Sequence, residues 1–157
     1  MVFAFGHLIG AWLIGKLIEI VGKRKISQNS WFFLLAGSIL PDLDYLFNLF
    51  FKINFHRTMS HSFFFAVIIS LIVYYGFNLI CKRKAMNYAY FLFTGILIHL
   101  TLDAFSPQGI PLLWPFPLFF ATHPYLETSS NIADAVMDMF LGTTWIFYLW
   151  LKNKIQF

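Results

Sequence analysis

The sequence predicts an all-α fold, a multi-pass transmembrane bundle of about five membrane helices with a Pro- and aromatic-rich outer loop. Three observations carry this expectation. Hydrophobic residues make up 59% of the 157-residue chain and charged residues only 11%, where a soluble domain has about a quarter. The apolar residues are gathered into runs long enough to cross a bilayer. The basic residues sit just after those runs, as Lys23-Arg24-Lys25, Lys82-Arg83-Lys84 and Lys152 with Lys154, instead of spreading over a face as a nucleic-acid surface would. Membrane lipids are therefore the expected surroundings, and no nucleic-acid partner is expected. At this length the chain is read as a single integral membrane domain. The lone cysteine, Cys81, excludes an internal disulfide and a thiolate-rich metal knuckle.

Crossing about 30 Å of hydrocarbon takes roughly 20 helical residues. Residues 2–21, 31–51, 62–81, 86–106 and 132–151 meet that length. The first run lacks a basic leader and a small-residue cleavage site, so it reads as a retained helix. Its Gly6 and Gly10 form a GxxxG step that allows close packing. The second run has Ser30 as a candidate N-cap and contains Pro41, which lacks the backbone N–H that a helix interior needs. Either the run is one span, or a shorter helix ends at Leu40 and an interfacial piece follows to Phe51. The third run, Ser62 to Cys81, carries no charge. Between the fourth and fifth lies segment 107–131, with Pro107, Pro111, Trp114, Pro115 and Pro117. It is too apolar for a disordered linker and is expected at the outer interface, as a lid.

The basic residues also set the orientation. Connections 22–30 and 82–85 and the tail 152–157 hold eight Lys and Arg, whereas connections 52–61 and 107–131 hold only Lys52 and Arg57. With five spans the N-terminus is expected outside and the C-terminus in the cytoplasm, in a cell membrane. Lys16 and Glu19, one turn apart near the cytoplasmic end of the first helix, read as a snorkelling pair.

That topology was set without any His or Asp, yet it brings the ionisable residues to one side. His7, Asp42, Asp44, His56, His61, His99, Asp103, Asp134 and Asp138 all fall in the outer half. Charge inside a membrane is costly and needs a reason. His99 and Asp103 are four residues apart and stack on one helix face, as do Asp134 and Asp138. At 1.5 Å per residue His99 sits about 10 Å below the outer end of its helix. Asp42 and Asp44 would point apart in a helix, but an extended turn after Pro41 lets both reach inward. His123 has no partner spacing and reads as a lone loop histidine. The expected metal ligands are His7, Asp42, Asp44, His56, His61, His99, Asp103 and Asp134. These are too many for one tetrahedral ion and suit two or more. Imidazole with carboxylate fits a divalent metal, zinc first, with manganese or iron next.

Several blocks in order carry a family resemblance: Gly6-His7; Leu40-Pro41-Asp42-Leu43-Asp44; His56-Arg57-Thr58-Met59-Ser60-His61-Ser62; and His99-Leu100-Thr101-Leu102-Asp103 followed by Ser106-Pro107-Gln108-Gly109-Ile110-Pro111-Leu112-Leu113-Trp114-Pro115. The chain resembles the YdjM-type family of membrane-bound, metal-dependent hydrolases over most of its length. It is also distantly similar to zinc-dependent phospholipase C and related nucleases, whose HxxxD motif the His99/Asp103 pair matches. Their second motif, HxxxE, meets Ser130-Asn131-Ile132-Ala133-Asp134 here, where the histidine is absent.

The resemblance implies a metal-dependent hydrolase. The expected reaction is cleavage of a phosphoester, lipid-linked in view of the apolar lid, at a polynuclear site on the extracytoplasmic side. Asp42 or Asp44 would bridge metals or act as general base, and Arg57 would clamp a phosphate oxygen. Ser60 lacks a separate base and reads as a cap or a hydrogen-bond donor. Two other classes stay open: a metal-ion or proton transporter, for which intramembrane His and Asp are typical, and a non-catalytic membrane scaffold. The sequence leaves the oligomeric state open.

Overall fold

Uninterrupted apolar runs fold as the long helices α1 (Ala4–Gly22), α3 (Phe63–Ile80), α4 (Lys82–Ala104) and α5 (Ser130–Leu151), with a short α2 (Gln28–Ile39) between the first two. The structure is a computed structural model that describes residues 4–44, 58–105, 109–116, 118–120 and 130–152. Among these residues the fold is all-α, with one isolated antiparallel bridge between Ile110 and Phe120.

The long apolar run 31–51 is not a single helix. α2 starts earlier than expected, at Gln28, because Ser27 rather than Ser30 is its cap: Ser27 Oγ accepts from Ser30 N at 3.2 Å. It ends where Pro41 would have to donate a hydrogen bond, and a 3-10 turn, Pro41–Leu43, follows. Residues 45–51 lie outside the described residues. At 12 residues α2 is about 18 Å long, too short to cross a bilayer. The other boundaries shift by at most four residues from expectation. Three segments are long and apolar enough to span: Phe5–Gly22, Phe63–Ile80 and Lys84–Ala104. α5 has the length, 22 residues, but Asp134, Asp138 and the Gly142-Thr143-Thr144 step dilute its apolar character.

α4 is the central helix. Tyr88, Ala89, Leu92, Ile96, Leu100 and Ala104 are buried along it, and it packs on α1, α2 and α3. α3 is peripheral: only 6% of its span is buried inside the protein, though Ile69, Val73 and Phe77 pack against the other helices. Near the basic connections, Phe33, Phe77 and Tyr88 pack edge and face at 4.9–5.4 Å and join α2, α3 and α4. Trp12 meets Trp145 and Tyr148 edge-on and joins α1 to α5. Lys16 and Glu19 do pair, at 2.7 Å. Glu19 also accepts from Ile26 N and Trp31 Nε1, so the pair fastens the turn between α1 and α2.

The described part of the 107–131 segment is tied to itself and to α3. Ile110 and Phe120 exchange two 2.9 Å backbone hydrogen bonds, and Leu112 O accepts from Phe63 N at the start of α3. Between these ties Leu113, Trp114, Phe116, Leu118 and Phe119 are exposed, as residues of an interfacial aromatic belt are.

The closest approach of helices is between α2 and α4. A Cβ on Gly37 would collide with Leu92 O, and a Cβ on Gly95 with Leu34 O, so the two backbones touch through paired glycines. Overpacking of such a contact costs about 1–3 kcal/mol. Gly95→Ala should therefore lower the Tm of the detergent-solubilised protein well below that of Gly76→Ala, where the added Cβ meets open space. Equal Tm values for the two variants would mean that α2 and α4 separate freely.

Candidate metal centre

Four side chains meet where α2 ends and α3 begins. Asp42 comes from the turn after Pro41 and His61 from the 3-10 turn Met59–His61. His99 and Asp103 come from α4, one turn apart as their spacing requires. His61, His99 and Asp103 are fully buried, and the Asp42 side chain is 11% exposed. Each offers one ligand atom, all within 4.8 Å of one another.

The separations are informative. His61 Nε2 lies 3.3 Å from His99 Nε2, 3.3 Å from Asp103 Oδ2 and 3.6 Å from Asp42 Oδ1. His99 Nε2 lies 3.7 Å from both Asp42 Oδ1 and Asp103 Oδ2. These contacts exceed ordinary hydrogen-bond lengths. Zinc bonds of about 2.0–2.2 Å place tetrahedral ligands roughly 3.3–3.6 Å apart. Three of the five separations fall in that range, and the two from His99 to the carboxylates, at 3.7 Å, lie just above it. The buried oxygens of Asp42 make no hydrogen bond. The donor set fits a divalent metal of the zinc class.

The ring nitrogens facing away from this centre are held. His99 Nδ1 donates to Ser38 O at 2.8 Å, which leaves Nε2 free to ligate. His61 Nδ1 faces Ser60 Oγ at 3.0 Å and Asp44 Oδ2 at 3.4 Å, while Ser60 Oγ donates to that same Asp44 oxygen. Asp44 thus stands behind His61, on the side away from the four converging atoms. Ser62 caps α3 by accepting from Phe65 N and donates to Met59 O, fixing the turn that presents His61.

Burial alone would lower the pKa of His61, but Asp103, Asp42 and Asp44 outweigh it and raise the pKa to about 10. The three carboxylates thus favour the imidazolium form of His61.

Of the other expected ligands, His7 is fully buried, stacks on His99 with ring centroids 3.9 Å apart, and reaches Asp103 Oδ1 at 3.4 Å. Asp134 lies in the first turns of α5, but its side chain, like His56, Arg57 and His123, falls outside the described residues. Sequence reasoning missed the Ser38 carbonyl. A backbone acceptor has no residue code, and the only hint was the small-residue step Ala36-Gly37-Ser38.

Residues 1–155 match the family described as YdjM inner membrane protein, and the chain belongs to that family. No curated protein and no solved structure matches it.

A metal entering this centre must displace the His61 proton. Apparent affinity should then rise about tenfold per pH unit across neutral pH, levelling near the raised pKa. Competition with a chromophoric chelator at several pH values measures this. A pH-independent affinity would place the ion away from His61.

Proposed function

We propose that this member of the YdjM inner membrane protein family is a metal-dependent hydrolase that cleaves a phosphoester carried on a lipid. The observation behind the reading is the convergence of one ligand atom each from Asp42, His61, His99 and Asp103, all within 4.8 Å of one another, in a buried cluster of a membrane protein. Divalent ions held there would lower the pKa of a water and neutralise charge on phosphoryl oxygens. The chain's own residues do the rest. His61, His99 and Asp103 are sealed from solvent and serve to hold. Asp42, both of whose carboxylate oxygens are buried, would hold the ions with them and hydrogen-bond an attacking water bound beside them. Asp44 and Ser60 position the His61 ring from behind.

A lipid-linked substrate is supported by an apolar cleft of about 210 Å³ lined by Phe5, Leu8, Ile9, Trp12, Leu35 and Trp145. Phe5, Leu8 and Ile9 flank His7 on α1, and Leu35 lies one turn before Ser38 on α2, so the cleft runs at the depth of the metal centre. The basic clusters in connections 22–30 and 82–85 support a centre that faces the extracytoplasmic side. A cation path is the second reading, favoured by the apolar run 31–51 breaking at Pro41, as discontinuous transporter helices do.

Metal-loaded protein should release phosphate from lipid phosphoesters in mixed micelles. His99→Ala should abolish release, and Asp44→Asn should lower it about 10- to 100-fold through looser metal binding. Cation flux in liposomes with no phosphate release would favour the transport reading instead. Reporter fusions after Phe55 should report outside and fusions after Lys84 inside; the reverse would place the centre on the cytoplasmic face.

A further inference from the structure

We propose that the centre holds a second, more weakly bound ion between His7 and the far oxygens of Asp42 and Asp103, an inference that rests on the metal-centre reading above. Both carboxylates are shared. Asp42 turns Oδ1 toward His61 and His99 and Oδ2 toward His7 Nε2, 3.9 Å away. Asp103 does the same, with Oδ2 toward His61 and His99 and Oδ1 toward His7 Nε2, 3.4 Å away. Each carboxylate thus has one oxygen in the four-ligand nest and one on the His7 side, the arrangement of a bridging ligand.

His7 supplies the independent observation. Its ring is fully buried, and neither nitrogen has a hydrogen-bond partner. A buried imidazole without a partner is costly, and stacking on His99 satisfies neither nitrogen. The 3.4 Å separation from Asp103 is too long for a good hydrogen bond and suits two ligands of one ion. His7 Nε2, Asp42 Oδ2 and Asp103 Oδ1 make three protein ligands, so a fourth position stays open, as in catalytic zinc sites. The nest around His61 and His99 has four.

Charge ranks the two positions. Asp42 and Asp103 together neutralise one divalent ion. With Asp44 behind His61 counted as well, a second leaves an excess of one positive charge, which an anionic phosphoester can balance. The His7 ion therefore binds second, exchanges more readily, and provides the open position for an anionic substrate.

Cobalt(II) titration of the full-length protein in detergent tests this. Wild type should bind about two equivalents, the second at least tenfold weaker, with intense four-coordinate visible bands from the first. His7→Ala should lose the second equivalent and keep those bands, and His7→Phe, which preserves the stack on His99, should do the same. Wild type that saturates at one equivalent with the bands present overturns the second site and leaves the metal centre standing. Two equivalents retained in both His7 variants also overturn it. A wild type that binds no cobalt overturns the metal centre and this inference together.

Discussion

The centre depends on the contact between α2 and α4 at Gly37 and Gly95. Only because neither residue has a Cβ can the helices approach until backbone meets backbone. Ser38 follows Gly37, and His99 lies one turn beyond Gly95, so the same contact brings the Ser38 carbonyl to 2.8 Å from His99 Nδ1. That hydrogen bond sets the tautomer and aims Nε2 at Asp42 and Asp103. A wider helix pair would leave His99 with a free ring flip and Ser38 O without this donor. Two glycines therefore place a side chain that neither of them touches.

Charge explains why the cluster can be buried at all. Asp103 is fully buried, and Asp42 and Asp44 nearly so. Carboxylates in such surroundings need compensation. In the metal-free chain His61 supplies it by holding its proton. A divalent ion bound there would supply more, and its binding would release that proton.

Much of this could be read from the residues. Apolar runs located the long helices, and the His99/Asp103 spacing placed two side chains of the cluster on one face. His61, Asp42 and His7 were brought to the same end by topology alone. What could not be read was backbone-borne. The reach of Asp42 depends on a 3-10 turn after Pro41, which the sequence allowed but did not require. The glycine contact depends on two residues 58 positions apart, neither unusual in a membrane helix. Asp44 and Asp42 looked equivalent as ligands. Their separate roles follow from the turn, which aims one into the nest and the other at the back of His61.

The half-length α2 connects fold to chemistry. Irregular backbone at membrane depth is tolerated only where protein or a polar cavity covers it. Here Pro41 is buried and the turn packs against α2 and the His61 turn. By stopping short, α2 brings a carboxylate to a depth that a continuous helix would reserve for lipid-facing side chains. Broken helices in transporters serve ions that must leave again. In this chain the ligating rings are held from behind, His99 by a carbonyl and His61 by Ser60 and Asp44. Rings locked in this way favour retention of an ion over its release, which suits a resident cofactor better than a passing cargo.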